Sequence, residues 1–490
     1  METLNDLEVI NYNILTSRQK EEFNTIKSLP NCIHLMCAYN EDLTHLPKLP
    51  KCEILECSNT ELTHLPELPN CKKLDCSNTQ LTKLPKLPNC IHLMCAYNEK
   101  LTRLPKLPKC EELNCSNTEL THLPELPNCK KLDCSNTQLT ELPKLPNCKK
   151  LDCSINQLTE LLELPKCEEL NCSENRLVNL PELPKCEELN CSDNQLTELL
   201  KLPNCETLNC FNNKLTKLPE LPKCKIVDCS DNQLTELPKL PKCEILDCSK
   251  NQLTKLPELL YEFVDCSNNR LIHLPELPKC KELVCSNNQL TELPKLPNCK
   301  KLNCSSNRLV SLPKLPKCEI LKCHVNELTH LSELPNCIIL ECSRNRLVHL
   351  SDLPECKYIN CSNNELTHLS EIPNCIELTC SNNQLIYLPE LLNYETLYCS
   401  NNQLDYLPKL PDCETLDCSN NRLDQLPELP KCEILNCSNN QLIYLPELPK
   451  CRLLICSGNP KLYYTKEFAT RFKLTYPSPG WRTMKHLKII

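Results

Sequence analysis

Glycine is almost missing from this chain: there are two in 490 residues, Gly458 and Gly480, both near the C-terminus. Phosphate-cradling loops and dinucleotide-binding turns need glycine where backbone closes on the ligand, so nucleotide-dependent catalysis of those kinds is excluded. No His-Glu-x-x-His metalloprotease motif is present, and no other catalytic arrangement stands out. The chain is read as a non-enzyme without cofactor or metal. Aromatic residues are scarce at 4%, with one tryptophan, and the formal charge is −8. Nucleic-acid binding relies on base stacking and on neutralising phosphates, and anionic membranes attract basic segments, so both partners are excluded. No apolar run approaches the roughly 20 residues that cross a bilayer. Met1 to Ile10 carries acids and no basic-then-apolar leader, so the expected location is the cytoplasm, with reduced thiols. Asn-Cys-Ser begins at Asn114, Asn171, Asn190, Asn303, Asn360 and Asn436. Export would place glycans on these strand residues, which agrees with an intracellular chain.

What the sequence has instead is proline, 41 residues, and cysteine, 44 residues, arranged with a period. One cysteine recurs 23 times from Cys37 to Cys456, at a spacing of 19 with occasional 20 and one 18. The unit reads Cys-x-x-Leu-x-Cys-x-x-Asn-x-Leu-x-x-Leu-Pro-x-Leu-Pro-x, as in Cys148 to Lys166, where Leu162 replaces the first proline. We number its places 1 to 19 from Cys148. The first cysteine occurs in 21 units and is replaced by Tyr261 and Tyr394 in the others. Such a period marks a repeat solenoid and overrides the two to four domains that length alone would suggest.

The pattern resembles the leucine-rich repeat, Leu-x-x-Leu-x-Leu-x-x-Asn-x-Leu, with cysteine at two leucine places. The Leu-Pro-x-Leu-Pro ending is similar to the shortest class, found in bacterial effectors, and the Cys-Ser-Asn-Asn signature resembles repeat proteins of giant DNA viruses of amoebae, which would put the chain in host cytoplasm. Some effectors with such repeats carry a ligase domain after them. The roughly 30 residues left here are too few for it.

The residues also dictate a fold without that name. The x-Leu-x-Cys segment alternates buried and exposed places and predicts a short strand, stacked in parallel about 4.8 Å from its neighbours. Asparagine holds place 9 in 19 units and Thr60, Thr79, Thr118 and Thr137 hold it in four; its amide is expected to bond backbone groups at the bend and form a ladder. Two prolines within five residues forbid a helix on the return side, which should be extended or polyproline-like. The expected architecture is a β-rich arc with a parallel concave sheet on the order of 110 Å long and a largely helix-free convex side. The expected organisation is a partly helical N-terminal cap over 1–29, the solenoid over 30–463, and a basic C-terminal cap or tail over 464–490. Residues 460–490 alone carry net +6, which leaves −14 for the rest of the chain.

Three sets of side chains stand out. The cysteines replace apolar residues of the pattern, so reduced core filler is expected, with disulfide ladders and metal binding as the alternatives. Place 5 is rich in acids and amides, including Asp75, Asp133, Asp152, Asp228, Asp247, Asp265 and Asp417. These form a stripe along the concave face, either a solvated sheet or a surface for a basic or polar protein partner. Place 13 holds His330, His349, His368, Tyr387, Tyr406 and Tyr444, a lateral row in which the three His units also replace the first proline by Ser332, Ser351 and Ser370. That row reads as a partner-binding edge, as drift among copied units, or as a metal site. Copying is plain, since Pro30 to Asn89 closely repeats as Pro88 to Asn147. The expected function is a non-enzymatic protein-interaction scaffold with an unidentified protein partner. The alternatives are a substrate-recognition subunit serving an enzyme such as a ubiquitin ligase, and a structural rod in a particle or matrix.

Overall fold

The computed structural model describes residues 4–258, 261–390 and 393–472. Residues 473–490, which hold most of the basic C-terminal segment, lie outside the described residues. Two compact units make up the chain, Met1–Gln252 and Leu253–Ile490.

In the first unit a strand at Val9–Asn11 is followed by twelve more, from His34–Met36 to Ile245–Asp247, each three residues long. They pair in parallel and in register: Leu151 lies beside Leu132 on one side and Leu170 on the other. The second unit repeats the arrangement with eleven strands from Phe263–Asp265 to Leu453–Ile455. Every strand after the first occupies places 3 to 5 of the repeat, so its central residue, nearly always leucine, points inward and its flanking residues outward. The fold is a parallel β-solenoid with a largely helix-free return side. Among the described residues the only helical segments are a 3-10 turn at Tyr12–Ile14 and α-helices at Ser17–Thr25 and Lys466–Arg471.

Core filling follows the repeat. The places 1, 4, 6, 11 and 17 are buried in almost every turn, so each turn hides two thiols and three leucines, joined by the partly buried leucine at place 14. Fully burying one leucine contributes about 2 kcal/mol, and the solenoid collects this gain turn by turn. On the return side the backbone groups bond sparsely, as the prolines require. Gln157 N–H donates to Leu139 O of the preceding turn at 2.9 Å, and Cys148 N–H closes the last bend onto Leu145 O at 3.2 Å.

The bend after each strand is the fold's costliest local feature. Place 8 has a positive φ in every turn, between 49° and 62° at 22 non-glycine residues and 72° at Gly458. Asparagine fills that place twelve times because its short amide tolerates the left-handed region. At Gly458 an added Cβ would sit 2.0 Å from Asn439 Oδ1, so the last turn combines the same dihedral with a close approach.

At the start of the first unit, Thr16 caps Ser17–Thr25 through a reciprocal bond with Gln19. Phe23 of this helix packs edge-on against Tyr12 at 5.0 Å and is buried. In the second unit Arg471 donates to Leu448 O and Pro449 O at 2.7 and 3.1 Å, fixing the Lys466–Arg471 helix to the final turn. No helix of the described residues is long and apolar enough to cross a membrane.

Candidate functional site

Place 9 sets the geometry from which every exposed side chain projects. Asn213 Nδ2 donates to Cys191 O of the previous turn at 3.0 Å and to Cys210 O and Phe211 O of its own at 3.2 and 3.1 Å. Its Oδ1 accepts from Leu196 N–H of the previous turn at 2.9 Å. The same set recurs at Asn156, Asn175, Asn194 and Asn232 in the first unit and from Asn288 to Asn459 in the second. Four hydrogen bonds per buried amide hold successive strands in register, so the outward residues form straight rows.

The place 5 stripe lies on the exposed strand face, but it is not free to serve a partner alone. In the first unit Asp75, Asp133, Asp152, Asp228 and Asp247 each accept through Oδ1 from the amide two residues on, at 2.9 to 3.1 Å. Ser135, Ser154 and Ser230 add a hydroxyl bond to the same oxygen. Asp265 and Asp417 do likewise in the second unit, with Ser267 and Ser419. The stripe therefore caps the bend while facing outward. Its signal in the sequence was the serine two places after nearly every Asp or Asn of the stripe.

Around the stripe the charges pair between turns. Lys131 meets Glu112 at 2.7 Å and Lys150 meets Glu169 at 2.5 Å in the first unit, and Lys301 meets Glu282 at 3.2 Å in the second. The Lys131 hydrogen bond holds the Glu112 carboxyl below the usual carboxylate range against a smaller opposing effect of burial, and the Glu169 hydrogen bond raises the Lys150 ammonium. In the first unit these strands line a groove of about 600 Å³ between Met94 and Asn209. Glu112, Asp133, Asp152, Glu169 and Glu188 face it against Lys131 and Lys150, leaving an excess of negative charge.

The lateral row lies in the second unit. His330, His349, His368, Tyr387 and Tyr406 stand exposed in five consecutive turns, and Tyr444 stands two turns beyond. Thr329 and Thr367 hydroxyls lie 3.2 and 3.1 Å from Nδ1 of the following histidine. Ser332, Ser351 and Ser370 donate to carbonyls of the preceding turn at Leu312, Ser332 and Leu350, where a proline could not. Tyr444 donates to Gln425 Oε1 at 3.2 Å, which fills the gap in the row. Beside it, place 12 carries exposed Val310, Val348, Ile386 and Ile443, an apolar companion that periodicity reasoning passed over.

All 44 cysteines are buried free thiols. Burial pushes Cys148 up to about 11 and Cys110 up to about 12, so these thiols stay protonated and unreactive near neutrality. Among the described residues no three His, Cys, Asp or Glu side chains gather as a metal site.

No family model matches the sequence, and no curated protein matches it. Solved structures do. YopM from Yersinia enterocolitica WA-314 is 33% identical over 86% of this chain and 91% of its own length, with a TM-score of 0.69. YopM from Yersinia pestis, described as a leucine-rich effector protein, is 34% identical over 64% of this chain and 88% of its own, with a TM-score of 0.49. A plant peptide hormone receptor, RGFR1 in complex with RGF2, shares the fold at 19% identity, covering 95% of this chain and 84% of its own, with a TM-score of 0.56.

Proposed function

Because this chain belongs to the leucine-rich-repeat family, we propose that it is a protein-binding scaffold without enzymatic activity, acting in the cytoplasm through its outward-facing rows. The Cys-Ser-Asn-Asn signature supports placing it with the short repeats of giant DNA viruses, in host cytoplasm. One observation carries the reading. From Asn156 onward the place 9 asparagines spend four hydrogen bonds each on holding the strands in register, so the exposed residues stand preorganised and lose little entropy on capture. A receptor solved in complex with RGF2 shares the fold, which supports a fold suited to holding a ligand.

The partner that the first unit's groove suits is basic or polar. Its carboxylates outnumber its ammonium groups, and the acids at place 5 keep one oxygen on the bend while presenting charge outward. Asp133→Asn with Asp152→Asn and Glu188→Gln removes charge but keeps an acceptor for Ser135 and Ser154. Full-length chain and this triple variant are to be immobilised and exposed to cytosolic extract, with retained proteins quantified by mass spectrometry. The reading expects basic proteins held by the parent and depleted at least about tenfold by the variant. Equal retention would remove the strand face from the proposal, and no specific retention by either would remove the scaffold.

A further inference from the structure

The lateral edges of the two units differ in composition. In the first, place 12 is threonine in nearly every turn, with Val178 the exception. In the second, the place 12 and 13 pairs become Ile386-Tyr387, Asp405-Tyr406, Asp424-Gln425 and Ile443-Tyr444 in four consecutive turns. Exposures are 50% and 43% for the first pair, 54% for Tyr406, and 42% and 51% for the last, so the strip presents aliphatic and aromatic surface to solvent. Asp405 and Asp424 are exposed within it, and among the described residues neither carboxylate is in an ion pair.

The strip is also held still. The leucines flanking it, Leu385 and Leu388 in one turn and Leu404 and Leu407 in the next, are buried. Asp405 N–H donates to Ile386 O at 3.4 Å and Ile443 N–H to Asp424 O at 3.1 Å, ties that the place 12 backbone makes in few other turns. Singly scattered apolar side chains need no partner, but five exposed aliphatic and aromatic groups within four consecutive turns, with two carboxylates set among them, mark a contact surface.

We propose that this strip docks an extended protein segment in which arginine alternates with aliphatic side chains. The inference rests on the scaffold reading and adds the partner's chemistry. A guanidinium fits both features found side by side here. It stacks on a tyrosine face and bonds a carboxylate through two parallel N–H groups, which an ammonium cannot do. The partner's aliphatic residues cover Ile386 and Ile443, removing from water the surface that the isolated chain leaves exposed.

The probe is a fluorescein-labelled twelve-residue peptide alternating arginine and leucine, compared with versions carrying lysine or glutamate for arginine. Binding to the full chain is read by fluorescence anisotropy at physiological salt. Tyr406→Ala is expected to weaken the arginine peptide about tenfold, and Asp405→Asn with Asp424→Asn about fivefold. Tyr406→Phe should retain affinity, since the ring face is what binds. The lysine peptide should bind several-fold more weakly and the glutamate peptide not at all. The control Glu160→Gln with Glu198→Gln, two exposed carboxylates at place 13 of the first unit, should leave binding within about twofold. Failure of the arginine peptide to bind overturns the proposal, and so does binding that Tyr406→Ala leaves within about twofold of the parent. Neither result touches the scaffold reading, whose own test is capture from extract.

Discussion

Within the first unit, the turns at Thr60, Thr79, Thr118 and Thr137 and the turns from Asn156 to Asn251 have the same strands and the same thiols but different ladders. Thr118 makes one hydrogen bond, from Oγ1 to Cys115 O at 2.8 Å, where Asn213 makes four. The threonine does not reach back, and where the turn ahead of it is one residue longer, that turn's leucine amide closes onto its own asparagine carbonyl. Leu101 N–H, which precedes the Thr118 turn, donates to Asn98 O of its own turn at 3.0 Å, and Leu43 N–H, before Thr60, does the same with Asn40 O at 3.1 Å. Leu462 N–H, in the last turn, makes the same closure with Asn459 O. A threonine turn is therefore tied to its predecessor by backbone pairing without a place 9 rung. What this teaches is that the ladder is segmented near the N-terminus and continuous later, although backbone pairing is unbroken in both stretches.

The harshest way to test the difference is pH, because it loads both stretches equally. Every turn of the two stretches buries two thiols whose ionisation burial opposes, with Cys110 at about 12 in the threonine stretch and Cys148 at about 11 in the first asparagine turn after it. Above the ordinary thiol value of about 8.5 the unfolded chain loses these protons and the folded chain keeps them. Unfolding then releases protons and stability falls as pH rises, by about 1.4 kcal/mol per thiol per pH unit until the folded thiols also ionise. Circular dichroism from pH 8 to 11 should show steep alkaline unfolding, and hydrogen exchange should show the threonine stretch opening first. A melting temperature flat across that range would mean that the thiols are not buried as free groups.

Next in size is the rung itself. Asn213→Ala strands three carbonyls, those of Cys191, Cys210 and Phe211, and the Leu196 amide, an expected loss of about 3 kcal/mol, whereas Thr118→Ala should cost about 1 kcal/mol. Urea unfolding of the two variants, read with hydrogen exchange because repeat arrays open locally, measures both. The converse change, Thr137→Asn, should add protection at Leu120 by offering its amide an Oδ1, as Asn156 offers one to Leu139. If Asn213→Ala and Thr118→Ala cost the same, the contrast between the two stretches is one of appearance only.

The period, the helix-free return side and the place 9 ladder were legible in the sequence because each follows from a residue type repeated at a fixed spacing. Two features were not. The left-handed backbone at place 8 was hidden because eight turns carry residues that shun it, among them Tyr39, Ile155, Lys250 and Val325, and copying had blurred the asparagine signal. The bond from each Asp of the stripe to its bend was hidden because an outward Asp at a strand end reads as a binding group until its distance to the following Ser is known. Asp152 is such a case, 2.6 Å from Ser154 Oγ. The lateral row was legible as a row, but its aliphatic companion at place 12 was masked by threonines in alternate turns. That Asp133, Asp152, Tyr406 and their neighbours bind a partner is a reading that their geometry supports and that only the capture and peptide experiments decide.

The smallest expected effect separates local strain from ladder strength. Ile155 sits at φ 53° directly before Asn156, where the continuous ladder begins, and Val325 sits at φ 56° deep within the ladder of the second unit. A β-branched side chain in this region crowds its own backbone by about 1 to 2 kcal/mol, and asparagine relieves much of that. Ile155→Asn and Val325→Asn should each stabilise by about 1 kcal/mol in urea titration. Strain at one residue does not depend on how many turns are tied together, so the two gains should agree even though Asn156 has a threonine turn before it and Asn326 an asparagine turn. A larger gain at Ile155 would mean that place 8 and the ladder are coupled, because relieving the bend there would also tighten the Asn156 rung that holds the threonine stretch to the rest of its unit.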